Sequence, residues 1–186
     1  MQLITDLKQI TTPFPNAVVT IGNFDGVHIG HQALFHQVME KARQLQGTGV
    51  VITFEPHPIR VLKCDKHFPL ITLHGQKVEL IAATGVDVLV CIPFTPEFAD
   101  IPARRFVKKI LCDTVGMKAV IVGPDYSFGK KREGNIELLN EMGKQLGFEV
   151  MISHWVEKGP ARISSTEIRN LVMAGKVEAA STLLGR

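Results

Sequence analysis

Short apolar runs alternate along the chain with stretches whose apolar residues recur at helical spacing. The runs at 17–21, 50–54, 87–92, 119–122 and 148–152 are short and β-branched-rich, and they predict strands. Helical spacing predicts helices over 29–45, with Leu34, Val38 and Leu45 on one side, and over 78–83, 106–111, 136–146, 164–173 and 177–184. Gly22, the Gly47/Gly49 pair, Pro56 with Pro58, and Gly123-Pro124 punctuate these segments. Strands that are almost wholly apolar, each followed by a helix, imply an α/β fold: a Rossmann-like parallel sheet with helices on both faces. One domain over residues 1–186 is expected, without repeats, low-complexity tracts or an internal linker. In such sheets ligands bind beyond the carboxyl ends of the strands. Chemistry is therefore expected after Ile21, Phe54 and Val122, and at the start of the Ser164 helix.

Composition narrows the class. Apolar residues make up 45% and charged residues 21%, as in a folded globular chain. A formal charge of +3, with Lys130, Lys131 and Arg132 as the densest basic cluster, lacks the basic stripe of a nucleic-acid binder. No run approaches the ~20 apolar residues of a membrane helix, and the first residues do not form a signal peptide. No nucleic-acid or membrane partner is expected. Cys64, Cys91 and Cys112 are odd in number and widely spaced, and Cys91 follows an apolar run as a core residue would. A reducing cytoplasm is expected.

The first unusual segment is Gly22-Asn23-Phe24-Asp25-Gly26-Val27-His28-Ile29-Gly30-His31, between a strand and a helix. Free N–H groups and the positive dipole end at a helix start favour an anion. Gly30 removes a side chain where a phosphate must approach. His28 and His31 share one face of the first turn and can donate hydrogen bonds to phosphate oxygens, carrying charge as needed. Two surface histidines, or a zinc site, are the alternatives; no HExxH pattern supports zinc. His36 reads as a solvated helix residue.

Three further segments follow. Pro56-His57-Pro58 after the second strand is either a rigid turn or one wall of a site. The loop Gly123-Pro124-Asp125-Tyr126-Ser127-Phe128-Gly129-Lys130-Lys131-Arg132-Glu133-Gly134-Asn135 carries two aromatics among glycines and cations. Tyr126 and Phe128 either anchor it to the core or wall a flat aromatic ligand whose phosphate meets basic groups. Arg162-Ile163-Ser164-Ser165-Thr166-Glu167-Ile168-Arg169 opens a helix. Ser164-x-x-Glu167 is a capping box, yet three hydroxyls and two arginines exceed what a cap requires. Ser165, Thr166 and the helix N–H groups suit phosphates, with Arg162 or Arg169 neutralising charge.

His28-Ile29-Gly30-His31 resembles the HxGH signature of the nucleotidyltransferase superfamily, and equally the HIGH signature of class I aminoacyl-tRNA synthetases. Both act at the α-phosphorus of a nucleoside triphosphate, so this motif alone does not choose. Thr53-Phe54-Glu55-Pro56-His57-Pro58 and the 123–135 loop together resemble the FAD synthetase (FMN adenylyltransferase) module of bacterial bifunctional riboflavin kinase/FAD synthetases, as does RxSSTxIR at 162–169. The likeness runs from about Gly22 through Arg186. It implies ATP and FMN as substrates, FAD as product, and Mg²⁺ arriving with ATP.

The site residues follow from the resemblance. It puts His28, His31, Arg162, Ser165 and Thr166 in catalysis, and Gly22, Asn23, Phe24, Asp25, Gly30, Ile163, Ser164 and Arg169 on the nucleotide. It puts Pro56, His57, Pro58, Asp125, Tyr126, Phe128, Gly129, Arg132 and Asn135 on the flavin, with Asp125 also near the metal. In bifunctional relatives a riboflavin kinase domain follows the segment that ends at Arg186; either the chain is cut at that boundary, with a kinase domain in the full-length protein, or the natural protein lacks the kinase, and this chain is expected to use FMN made elsewhere. At 73–77 the sequence Leu73-His74-Gly75-Gln76-Lys77 lacks the acidic residue that relatives often place before the lysine, with little effect expected. Rival readings are a nucleotidyltransferase for pantetheine phosphate or nicotinamide mononucleotide, and a binding module without catalysis.

Overall fold

The computed structural model describes residues 1–65, 67–154, 157–158 and 161–186, with Glu157, Lys158, Ala161 and Arg162 described by backbone alone. Six strands form one sheet: β1 (Gln2–Ile4), β2 (Ala17–Ile21), β3 (Gly49–Glu55), β4 (Val88–Pro93), β5 (Met117–Val122) and β6 (Glu149–Ile152). Their order is β1-β4-β3-β2-β5-β6, and every pairing is parallel. A separate antiparallel ribbon joins β7 (Glu157–Lys158) to β8 (Ala161–Arg162).

The helices are α1 (Ile29–Gln44), α2 (Pro58–Leu62), α3 (His74–Ala82), α4 (Pro96–Ala99), α5 (Ala103–Arg105), α6 (Ile136–Leu146), α7 (Ser165–Met173) and α8 (Val177–Leu184). From α5 the chain runs on as a π-helix, Phe106–Thr114.

Alternation along the strands sorts the core onto two faces. Ala17, Val19, Ile21, Val50, Ile52, Val88 and Val90 pack with Phe106, Leu111 and Leu139 on one face. On the other, Val51 and Leu89 meet Phe35 and Ile81, while Val18 meets Val38. Both faces are therefore covered over β2 and most of β3 and β4, which is why those strands are nearly all apolar. Helix α1 buries Phe35, Val38 and Ala42, with Leu34 and Leu45 flanking that stripe.

The strand order places the site. From β2 the chain steps outward to β3 and β4, then returns to lay β5 on the other side of β2. The crevice at the carboxyl ends of β2 and β5 is the switch point of the sheet, where ligands bind in open α/β folds.

The structure departs from the sequence expectation in the short helices α2 and α4, in the β7/β8 ribbon, and in three further places. β1 is only three residues long, and its pairing with β4 (Gln2↔Val88) creates it. Helix α3 begins at His74, because the Gln76 side chain accepts from the Leu73 N–H at 3.0 Å and caps a polar first turn without apolar periodicity. The helix expected at 106–111 is wound as a π-helix, with Val115 N–H donating to the Ile110 carbonyl at 2.9 Å.

Candidate active site

The loop after β2 turns sharply into α1. A Cβ on Gly22 would lie 2.8 Å from the Phe24 ring, so only glycine lets that ring fold beneath the loop. Phe24 is buried and meets the His31 ring edge-on at 5.1 Å and Phe35 at 4.8 Å. His28 caps α1: its Nδ1 accepts from the His31 N–H at 3.2 Å. In the neutral ring that acceptor role puts the proton on Nε2, which is then a donor. The His31 ring stacks on His28 with centroids 3.5 Å apart, and His31 Nδ1 is buried with no partner among the described residues.

Burial disfavours charge on both rings. It pulls His28 down to about 4, against a smaller upward pull from Asp25. His31 falls well below the usual histidine value through burial and then the neighbouring His28. Burial thus favours the neutral form of both imidazoles, and an incoming anion would favour their protonation.

A pH dependence of stability follows. His28 and His57 both fall to about 4 in the fold, below the ordinary 6.5, so between those values the unfolded chain binds more protons. Stability is full above about pH 6.5 and is lost as pH falls toward 4, at up to about 1.4 kcal/mol per pH unit for each histidine. Urea midpoints measured across this range are expected to fall on acidification. His57→Asn, which keeps a cap acceptor, is expected to show a shallower fall.

Asp25 joins the first loop to two other segments. Its carboxylate, 3% exposed, accepts from Ile71 N–H and Thr72 N–H at 3.1 Å and pairs with Arg169 Nη2 at 2.8 Å. Its carbonyl accepts from Ser165 Oγ at 2.9 Å. The start of α7 is thereby brought against the start of α1, and the first and fourth sequence segments meet. Ser164 Oγ caps α7 by accepting from the Glu167 N–H at 3.2 Å. Ile163 is buried beside Ile168 and Leu183, whereas Thr166 is exposed. The Arg162 side chain lies outside the described residues.

The wall after β3 is built by a second capping histidine. His57 Nδ1 accepts from the Ile59 N–H at 3.2 Å, and Pro58 sits at the first position of α2. Burial is the main cause of its lowered pKa; Asp25 pulls it upward, while Arg169, Lys77 and Arg60 pull it downward. The ring lies 5.0 Å from Phe68.

The loop after β5 is held largely by its own side chains. Tyr126 stacks on Phe128 at 5.4 Å, and Phe128 packs on Phe106 at 5.9 Å. Tyr126 is half-buried, and burial raises its hydroxyl pKa. Gly129 has φ +73° with its Cβ position 2.6 Å from the Ala103 backbone, which no other residue fits. Asn135 Oδ1 caps α6 through the Leu138 N–H at 2.9 Å. Arg132 Nε donates to Ser127 Oγ at 2.7 Å, while Asp125 is exposed at the carboxyl end of β5. The loop thus follows the strand beside β2, across the switch point from the histidines.

Three residues here were not singled out from the sequence as parts of the site. Lys77 is 5% exposed, donates to the Phe54 carbonyl at 3.1 Å and faces Glu55 at 3.8 Å. Its position one turn before the buried Ile81 was a usable signal, because a lysine on a core-facing stripe needs a partner. Phe68 and Thr72 gave no local signal. No group of three or more His, Cys, Asp or Glu among the described residues is arranged to hold a metal ion. The cysteines are free, with Cys91 buried. No helix among the described residues is long and apolar enough to cross a membrane.

A parallel sheet with two helix starts and a histidine pair meeting at its switch point defines an open α/β protein with its ligand crevice at that point. The solved structure of a pantoate-β-alanine ligase from Francisella tularensis shares the fold at TM-score 0.57 and 15% identity, over 94% of this chain and 78% of that one. The chain belongs to the FAD synthetase family, whose model matches residues 11–167.

Among its relatives, a bifunctional riboflavin kinase/FMN adenylyltransferase of Buchnera aphidicola subsp. Schizaphis graminum is 38% identical over all of this chain and 60% of its own length. The Escherichia coli K12 protein of the same description is 35% identical, with 59% of its length covered. The chain therefore spans about 60% of the length of these relatives. A solved structure described as a macrolide-efflux protein from Streptococcus pneumoniae superposes at TM-score 0.85 with 33% identity, over 98% of this chain and 59% of that one.

Proposed function

We propose that this chain transfers the adenylyl group of ATP to FMN, giving FAD and pyrophosphate. The observation that carries the reading is the contact between Ser165 Oγ and the Asp25 carbonyl. It sets the N-termini of α1 and α7 side by side at the switch point, where N–H groups and two histidines can address one triphosphate. Family membership supplies the acceptor. An FMN phosphate oxygen attacks the α-phosphorus in line, the bond to the β-phosphate bridging oxygen breaks, and pyrophosphate leaves with that oxygen. The nucleophile is already ionised, so positioning and charge stabilisation are what the protein must provide.

His28 and His31 donate to the reacting phosphates. Arg162, Ser165 and Thr166 hold the departing pyrophosphate, with Gly22, Asn23, Gly30 and the start of α7 around the nucleotide. Pro56, His57 and Pro58 face the flavin from one side, and the Tyr126, Phe128 and Arg132 loop from the other. Mg²⁺ neutralises triphosphate charge when bound. Asp125, exposed at the carboxyl end of β5, would offer the ion one protein oxygen. The cytoplasm, where ATP and FMN are found, is the proposed location.

The test is incubation of the purified chain with ATP, Mg²⁺ and either FMN or riboflavin, followed by separation of the flavins. FAD is expected from FMN and none from riboflavin, which lacks the phosphate nucleophile. Absence of FAD from FMN, with folded protein, would refute the reading.

A further inference from the structure

The chain enters α1 through left-handed backbone: Phe24, Gly26 and Val27 have φ of +48°, +85° and +42°. Glycine takes such values freely, whereas a β-branched residue does so only where its surroundings over-determine it. At Val27 those surroundings include one polar side chain. The Gln32 amide donates to the Val27 carbonyl at 2.9 Å and to the Leu184 carbonyl at 3.3 Å, spending both of its N–H bonds. Leu184 ends α8, which is pressed against the same loop: Arg186 Nη2 donates to the Gly26 carbonyl at 2.9 Å, and a Cβ on Gly185 would lie 2.6 Å from Ile29 Cγ2. The Val27 carbonyl and the His28 N–H belong to one planar peptide unit. A group that holds this carbonyl therefore orients His28, whose ring caps α1 and stacks on His31.

We propose that Gln32 is a positioning residue, clamping the left-handed Val27 peptide to the end of α8 and thereby setting the His28/His31 pair for the triphosphate. This rests on the adenylyl-transfer reading. The clamp acts through the two histidines, because both donors of its amide are spent on protein carbonyls. Its loss lets Val27 relax toward negative φ, which turns the shared peptide and moves both rings. In-line displacement tolerates little of this: a misplacement of about 1 Å costs on the order of 10²-fold in rate. The loops after β3 and β5, which face the acceptor, are left in place.

The experiment is steady-state kinetics for both substrates in Gln32→Met, Val27→Gly and the double variant Val27→Gly/Gln32→Met, with a melting curve for each. Methionine keeps the length of the side chain and removes both donors. Gln32→Met is expected to lower kcat/KM for ATP by about tenfold or more, with KM for FMN changing less than about threefold. Glycine holds a positive φ without a clamp. In the Val27→Gly background the same substitution is therefore expected to cost less than about threefold. A glutamine that bound ATP itself, or that only stabilised the fold, would not be rescued in this way.

Wild-type kcat/KM for ATP in folded Gln32→Met, a loss confined to KM for FMN, or an equal loss in both backgrounds would each overturn the clamp. If Val27→Gly fails to fold, Val27→Asn, which also tolerates positive φ and fills more of the space, is read by the same criteria. If Gln32→Met fails to fold, Gln32→Leu takes its place. Failure of the unaltered chain to make FAD from FMN would remove the underlying reading instead, and it is seen before any variant is compared.

Discussion

His31→Ala is expected to lower turnover of FMN and ATP to FAD by on the order of 10²–10³, with the fold retained. The imidazole stacks on His28 at 3.5 Å and stands edge-on to Phe24. A donor in such a dry setting acts strongly on developing phosphate charge, because little water competes with it. The loss should fall mainly on kcat, since the group serves the transition state more than the ground state. His28→Ala is the instructive comparison, because it also removes the cap acceptor of α1 and adds about 1 kcal/mol of instability. Single-turnover rates with melting curves separate the two effects. Near-normal turnover in folded His31→Ala would overturn the catalytic assignment of the pair.

The largest stability effect is expected at Asp25. Asp25→Ala leaves the Arg169 guanidinium, 13% exposed, without its carboxylate, and the Ile71 and Thr72 N–H groups without that acceptor. Breaking a buried pair from one side costs about 3–5 kcal/mol. Urea unfolding should show a large drop in midpoint with little change in slope. Asp25→Asn retains a carbonyl acceptor and should lose less. An unchanged midpoint in Asp25→Ala would show that the ion pair and its backbone donors are not what ties the first loop to α7.

Much of the frame was legible in the sequence because the signals are local. β2 and α6 span the residues expected, since a buried five-residue strand and a strongly amphipathic helix each announce themselves through side-chain period. β1 was not legible: three residues carry no period, and the strand exists through its pairing with β4. The helix at 106–111 was read as a helix, but its π-winding, with the Val115 N–H reaching the Ile110 carbonyl, was not.

The functional segments divide in the same way. His28, His31, His57, Ser164 and Ser165 were visible as unusual residues at strand ends and helix starts. The sequence did not indicate that Asp25 and Arg169 would spend their charges on each other across 144 residues of chain. Nor did it show that Asn135 would cap α6, or that Phe128 would close the loop after β5 through paired bonds with Gly134.

By itself the sequence determined the fold class, the helix starts that can address phosphates, and the family signatures, because period, caps and glycines act within a few residues of one another. The tertiary structure decided which of these segments meet, that burial disfavours charge on both histidines of the pair, and that Lys77, Thr72 and Phe68 lie against these segments. Those outcomes depend on burial and on contacts between distant segments, which exist only once the sheet brings its strand ends together.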